Sequence, residues 1–471
     1  MPRNIRSSFI AVFASNLAVI VAGIVISLLL PKIIGSVTEY GYWQLYFFYT
    51  GYYGLFLFGL NDGMNLLLAG KKFTHRDQRT TSTIFFYLLC ILLIGVTIAS
   101  IVGLALIHDS LYQLIFIAVL VNIIILNITG YTLHINQILL RFKTYAKINI
   151  LERIMFAALL IPLWLIDARA FAAYIGISTI VRLFVMAYGL HSIKDVWRFE
   201  KPLVKNALKA RKTIRKYILA GFPLTIGTIF SMLILTSSRI AIEKTSTIYD
   251  YGLFSFAFAI LSIVIMTVSA ISTVLYPTLK TVDVSKYARI YSTLRYVVTI
   301  LCAIALLGSF LVPLITQAYL PEYASIATYL FPLLAWVVYQ CLGGIVNDTF
   351  LRTSRLEWHL LLVNALSFGA IFGLQLLAIT LTGDISTMLL IGLAGVMTWF
   401  HLTKALISKK NGWSQRFVDY IDIPIVIGFI VISHFNKGLV GFSIYAAFVG
   451  LLLIMFRRRN AQILSRLKIV K

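Results

Sequence analysis

The sequence predicts an all-α polytopic membrane protein of about fourteen transmembrane helices, arranged as two pseudo-symmetric six-helix bundles plus two C-terminal helices. Three observations predict it. Sixty per cent of the 471 residues are apolar and only 12% are charged, and apolar runs of about 20 residues, the length that crosses the hydrocarbon core, recur throughout. The chain also repeats itself without a gap at an offset of 211: Glu39-Tyr40-Gly41 returns as Asp250-Tyr251-Gly252, Tyr112 as Tyr323, and Asn136-Gln137-Ile138-Leu139-Leu140-Arg141 as Asn347-Asp348-Thr349-Phe350-Leu351-Arg352. Finally, 33 of the 41 Lys and Arg residues fall on alternate connections, the asymmetry of the positive-inside rule.

The spans read in order as 9–31, 40–70, 80–107, 111–140, 147–166, 170–190, 217–242, 250–279, 290–315, 323–350, 358–381, 385–407, 420–434 and 439–456. The first is too long for a signal-peptide core and no small-residue cleavage pattern follows it, so it reads as a retained helix. The duplication sets the organisation: 1–190 is an N-terminal six-helix bundle, 217–407 a C-terminal one, and 408–471 two additional helices with a basic tail. Between the bundles lies a basic connection, 191–216, where Lys194, Arg198, Lys201, Lys205, Lys209, Lys212 and Lys216 recur at helical spacing. That stripe suits the headgroups of anionic membrane lipids and suggests an interfacial helix that Pro202 starts or breaks.

A net charge of +24 would point to nucleic acid in a soluble protein. Here the loop asymmetry accounts for it, so no nucleic acid partner is expected and both termini are expected in the cytoplasm. Cys90, Cys302 and Cys341 sit in apolar spans without metal-ligand spacing and read as packing residues. There is no Walker A sequence, no His-Glu-x-x-His and no Gly-x-Ser-x-Gly, so neither ATP hydrolysis nor covalent catalysis is indicated. No catalytic residue, metal ligand or cofactor is expected. The connections are too short for a catalytic domain.

What remains is a set of polar groups in expensive places. Arg182 lies deep in the sixth span, where facing lipid would cost about 2.5–3.5 kcal/mol, so it faces either a wet cavity or a structural ion-pair partner. Arg153, beside Glu152, is nearer the cytoplasm, and snorkelling or a local pair explains it equally well. Arg239 near the outer end of helix seven and Arg295 near the inner end of helix nine read as snorkelling, with Arg239 also placed to guard a cavity mouth. Asn61 and Asp62 lie inside helix two, where a carboxylate takes up a proton, coordinates a cation or pairs with an arginine. His134 and Asp348 fall near the ends of corresponding helices and suggest an inner gate, with capping or packing as the alternative. Several arginines and few carboxylates favour an anionic, phosphate-linked substrate. An organic-cation pump would line its cavity with acidic and aromatic groups instead. Trp43, Tyr46, Tyr49, Tyr52 and Tyr53 offer sugar-stacking faces, against the plainer reading of packing and interface anchoring.

Pro31-Lys32-Ile33-Ile34-Gly35, Glu39-Tyr40-Gly41-Tyr42-Trp43 and Gly59-Leu60-Asn61-Asp62-Gly63 together resemble the opening of the polysaccharide-transporter family, the Wzx-type flippases of the multidrug/oligosaccharidyl-lipid/polysaccharide exporter superfamily. The resemblance implies two six-helix bundles in a V and alternating access. It also implies translocation of undecaprenyl-pyrophosphate-linked oligosaccharide repeat units across a bacterial inner membrane for O-antigen, capsule or exopolysaccharide synthesis. Coupling to a proton or sodium gradient would go with it, as would a polysaccharide polymerase and chain-length machinery as partners. Many relatives carry an Asp before the arginine of helix seven, whereas this chain has Ser238-Arg239, which puts carboxylate coupling there in doubt. The alternatives are a cation-coupled multidrug exporter of the same superfamily and a membrane-embedded polysaccharide polymerase or glycosyltransferase.

Overall fold

The computed structural model describes the backbone of residues 3–68, 74–197, 203–279, 283–353, 356–413 and 420–456. Within these the regular structure is helical, as α1 (Arg3–Ile34), α2 (Val37–Thr50), α3 (Leu60–Leu68), α4 (His75–Leu106), α5 (Ser110–Ile138), α6 (Phe142–Leu165), α7 (Phe171–Ser192) and α8 (Leu203–Thr245). There follow α9 (Ile248–Leu279), α10 (Tyr287–Ser309), α11 (Val312–Tyr319), α12 (Ala327–Cys341), α13 (Asp348–Thr353), α14 (Glu357–Thr382), α15 (Ile385–Lys410), α16 (Asp422–Phe435) and α17 (Gly438–Met455). Eleven described stretches are long and apolar enough to cross a membrane, and two shorter apolar helices, Val21–Ile34 and Asp422–Phe435, join them. Counting α2–α3 as one interrupted span, α10–α11 as one and α12–α13 as one gives the fourteen the sequence predicts.

The duplication is visible in where helices start and stop. α1 ends at Ile34 and α8 at Thr245, and α2 begins at Val37 and α9 at Ile248, each pair 211 apart. The same polar chemistry marks both starts. Ser36 Oγ accepts the Glu39 amide at 3.4 Å, and Thr247 Oγ1 accepts the Asp250 amide at 3.2 Å while Asp250 reaches back to the Thr247 amide at 3.3 Å. These side chains satisfy donors that a helix N-terminus leaves unpaired. The Glu39-Tyr40-Gly41 repeat is thus, in part, a repeated cap.

The chain forms two compact units, Met1–Met232 with Glu357–Leu362, and Leu233–Leu356 with Val363–Lys471. The division falls inside α8. In the first unit α2, α3, α4, α6 and α7 pack around α5, and in the second α9, α10, α15 and α16 pack around α12, which occupies the corresponding place in the repeat. The repeated asparagine helps tie each central helix in. Asn136 Nδ2 donates to Ser192 Oγ at the end of α7 at 2.9 Å. Asn347 Nδ2 donates to the Phe400 carbonyl of α15 at 3.2 Å, and Asn347 Oδ1 accepts from the Tyr291 hydroxyl of α10 at 2.7 Å. In an apolar solvent such interhelical bonds supply specificity that greasy packing cannot.

Three segments differ from the expected spans. Helix two is not continuous: after α2 the chain makes a 3-10 turn over Tyr53–Leu57, Phe58 and Gly59 take positive φ (48° and 87°), and α3 begins at Leu60. Gly51, Gly54, Gly59 and Gly63 crowd this stretch and weaken any regular helix through it. Helix ten contains a π-helical turn, Leu342–Asn347, between α12 and α13. In the basic connection a 3-10 turn at Lys194–Val196 comes first, residues 198–202 lie outside the described ones, and from Leu203 one 43-residue helix runs to Thr245. Residues 203–216 are therefore the first turns of helix seven rather than a separate helix. Pro202 precedes that start, and Pro223 is the one proline within.

The head of that connection is pinned. Trp197 stacks on Tyr131 at 6.1 Å and meets Phe85 edge-on at 4.7 Å. Arg141 donates to the Ser192 carbonyl at 3.2 Å and forms a bidentate pair with Asp195. Hydrogen bonds from Arg141 hold the Asp195 carboxyl below its usual range. A depressed carboxylate stabilises the fold above its unfolded pKa of about 3.9, and that contribution is lost as pH falls through the folded value. Both groups are substantially exposed, so the effect is local. A spin label attached at neutral pH to Lys194→Cys, on the exposed side of the turn, is expected to gain mobility as pH drops below about 4. Asp195→Asn should give the mobile spectrum at every pH. A flat profile in the parent protein would remove the pair as the anchor.

Candidate functional site

Among the described residues three polar clusters interrupt the apolar interior, two in the first unit and one in the second, besides the contacts of Ser238 and Arg239 in the second. The first surrounds Arg182 at the middle of α7. Its Nε donates to Glu152 Oε1 of α6 at 3.0 Å, and its Nη1 donates to Tyr46 Oη of α2 at 2.9 Å and to Asn122 Oδ1 of α5 at 3.0 Å. Four helices thus meet on one guanidinium whose planar fork suits several simultaneous acceptors. Tyr46 is held by Ser178 at 3.0 Å, and Asn122 by Thr179 at 2.8 Å. Arg182 is only 7% exposed, but the Glu152 side chain is 30% exposed, so the carboxylate is not sealed inside the unit. Arg153 is half-buried and makes no hydrogen bond or ion pair among the described residues. Trp43 is buried against Phe156, Tyr46 and Tyr174, so this aromatic packs, as the plainer reading had it.

The second cluster lies where helix two breaks. Asn61 and Asp62 open α3 instead of sitting mid-helix, because the break resets the helix at Leu60. On α5, Asn127, Gly130, His134 and Gln137 recur at three- and four-residue spacing and face this segment. Asn127 Nδ2 donates to the Tyr53 carbonyl at 2.8 Å, and Asn65 Nδ2 donates to Gln137 Oε1 at 3.1 Å. Asp62 accepts from Thr225 of α8 and acts electrostatically on Tyr53 and His134. The helices cross with almost no space between backbones. A Cβ on Gly63 would stand 1.8 Å from the Tyr217 carbonyl oxygen, and one on Gly221 would stand 2.0 Å from the Gly59 carbonyl oxygen.

The third cluster, in the second unit, joins α10, α12, α15 and α16. Asp422, fully buried at the first turn of α16, pairs with Arg295 of α10 and with His401 of α15 at 3.1 Å. Arg295 lies over the Phe400 and Tyr420 rings at 5.4 and 5.8 Å, and Lys404 Nζ sits 4.1 Å from the Tyr420 ring centre. Arg295 is therefore not snorkelling; it is 3% exposed and neutralised by an acid 127 residues away.

Arg239 is likewise buried, donating to Ser255 Oγ at 3.2 Å and lying over Tyr251 and Phe258 at 5.4 and 5.0 Å. Ser238 accepts from Gln375 at 2.8 Å, a neutral pair. His134 belongs to the first unit; Asp348, in the second, opens α13 directly after the π turn. Glu152, Asn122, Asn127 and Asp422 were missed as site residues. Their polarity inside apolar runs was the available signal. Among the described residues no cluster of His, Cys, Asp and Glu is built to hold a metal.

Two related helical units with polar clusters inside them define a polytopic membrane fold built by duplication. The model of the family described as polysaccharide biosynthesis protein matches residues 5–282, and the chain belongs to that family. Among solved structures it is similar to the lipid II flippase MurJ in an inward closed conformation, with a TM-score of 0.64 at 11% identity, over 96% of this chain and 99% of that one. It is also similar to a multidrug resistance MATE family transporter of the MOP superfamily in an inward-facing conformation, at 0.55 and 13%, over 85% and 96%. A MATE in complex with MaD3S gives 0.53 and 10%, over the same shares. At these identities the likeness is one of fold, the fold of the flippase and exporter superfamily. No curated protein matches by sequence.

Proposed function

We propose that the chain is a flippase that moves undecaprenyl-pyrophosphate-linked oligosaccharide repeat units from the cytoplasmic to the outer leaflet of a bacterial inner membrane by alternating access. The observation that carries this reading is membership of a polysaccharide biosynthesis family in a chain whose fold is that of the flippase and exporter superfamily. Both termini lie in the cytoplasm in this reading, and a polymerase with its chain-length partner takes the product. His134 and Asp348 act as gate residues, and Asp62 is the coupling acid.

Arg182, with Arg153 beside its partner, is the anion contact, and Arg239 guards the outer end of α8. A buried arginine is not left uncompensated, so Glu152 neutralises Arg182 in the empty protein and the substrate's phosphates replace it. Competition of this kind favours one access state through differential affinity. Glu152→Gln is expected to tighten binding of the pyrophosphate-linked substrate by about tenfold, and Arg182→Ala to weaken it by as much. Unchanged affinity in both variants would remove Arg182 from the site.

Deleting the protein from its host should trap completed lipid-linked oligosaccharide on the cytoplasmic leaflet while its synthesis continues. Normal glycan export combined with sensitivity to cationic dyes would instead establish the drug-exporter reading.

A further inference from the structure

We propose that the beginning of α8 is a docking face for anionic phospholipid headgroups, formed by Arg211, Lys212, Arg215 and Lys216. The inference concerns the bulk lipid of the leaflet at that end and stands whatever substrate the chain carries.

The face is set by the turn of one helix. Arg211, Lys212, Arg215 and Lys216 are all exposed, whereas Ile214 and Tyr217 are buried. At about 3.6 residues per turn the four cations share one side of the helix and the two apolar residues lie on the other. Close packing on α3 holds that orientation, since a Cβ on Gly63 would stand 1.8 Å from the Tyr217 carbonyl oxygen. None of the four cations makes a hydrogen bond or ion pair among the described residues. α8 holds no acid before Glu243.

Such a patch calls for a counter-charge. Arg211 and Arg215, Lys212 and Lys216, and Lys212 and Arg215 are neighbours at four- or three-residue spacing, where like charges repel. A single exposed cation is content with water. Four contiguous ones with no acid among them set up a field that gathers anions.

Depth decides which anion. From Tyr217 to Ile242 the only charged residue is Arg239, and this run is about 39 Å long at about 1.5 Å per residue. The hydrocarbon core is about 30 Å thick, and about 40–45 Å with its headgroups. The apolar run therefore fills the core, and the four cations directly before it stand in the layer of lipid phosphates. Guanidinium and ammonium groups both pair with phosphate oxygens, and basic clusters at the end of a spanning helix are attracted to anionic lipid. Lipid phosphates are beside this helix at all times, whereas an acidic protein has to arrive from water. Because these charges stand upright on a spanning helix, the lipid grips α8 itself, the helix within which the two units divide.

The test titrates the purified full chain in dodecyl maltoside with phosphatidylglycerol or phosphatidylcholine and follows binding by thermophoresis. Saturable binding of phosphatidylglycerol alone is expected, weakening as salt is raised. Neutralising the face with Arg211→Gln, Lys212→Gln, Arg215→Gln and Lys216→Gln together should raise the half-saturating concentration by about tenfold or more, since each surface cation counts for about fivefold. Either half alone, Arg211→Gln with Arg215→Gln or Lys212→Gln with Lys216→Gln, should shift it by an intermediate amount. Arg211→Lys with Arg215→Lys should stay near the parent, because a lipid surface is read by charge. Lys244→Gln, exposed at the far end of the same helix, should change nothing. Equal binding of the two lipids, or a phosphatidylglycerol curve that neither the fourfold variant nor the halves move, would overturn the face. So would displacement of the lipid by equimolar inorganic phosphate, or tighter binding of soluble polyglutamate than of phosphatidylglycerol.

Discussion

Asp422→Ala is expected to destabilise the second unit by about 3–5 kcal/mol, the cost of removing one partner from a buried ion pair. The size follows from what is left behind. Arg295 is 3% exposed, its Nε and Nη1 already have no hydrogen-bond partner, and Lys404 and His401 stand close by on α15. Without the carboxylate these groups become an uncompensated cationic patch inside the bundle. Asp422 also sits in the first turn of α16, where a negative charge complements the helix dipole. The measurement is the unfolding midpoint and monodispersity of the purified variant. A second variant separates charge from shape: Arg295→Met combined with Asp422→Leu is expected to recover most of the loss, since apolar replacement of a whole buried pair is often neutral or better. An Asp422→Ala protein within about 0.5 kcal/mol of the parent, the range of ordinary surface changes, would show that the cluster does not hold α16.

Gly63→Ala should cost about 3 kcal/mol, the upper end of overpacking effects, and should abolish transport. The new Cβ would stand 1.8 Å from the Tyr217 carbonyl oxygen and 2.7 Å from its carbon. The obstacle is backbone, so no rotamer change relieves it. α3 and α8 would have to part, taking with them the Asp62–Thr225 bond and the Gly59–Gly221 approach. Small residues at four-residue spacing are how membrane helices reach such closeness. The control is Gly176→Ala on α7, where nothing lies within 4 Å, and which should gain slightly from alanine's better helix propensity. If Gly63→Ala and Gly176→Ala unfold at the same temperature, the crossing is not tight in the working protein.

The duplication made the helix plan legible, because a hydropathy pattern kept in one register over 211 residues leaves little freedom in where spans begin. The cap residues Ser36 and Thr247 show that register in structural detail. The break at Tyr53–Gly59 was not read from the sequence, since its aromatic and aliphatic residues keep hydropathy high and the spacing of glycines was the signal left unused. Depth alone singled out Arg182, and the structure adds Glu152, Tyr46 and Asn122 around it. Those partners lie 30 to 136 residues away, and a side chain's reach across a bundle is not written in its neighbours. Arg295 was misread for the same reason: position near a helix end suggested water, while Asp422 from a helix outside the repeat supplied the charge.

The most direct measurement is translocation by the purified chain. In proteoliposomes carrying a fluorescent undecaprenyl-pyrophosphate-linked oligosaccharide in the inner leaflet, the protein should make the glycan accessible to a membrane-impermeant glycosidase outside. Gly63→Ala should leave it at the protein-free rate, and Arg182→Ala should slow it markedly. Glycan that stays protected at the protein-free rate, in liposomes where the same preparation exchanges cationic dyes, would contradict the account.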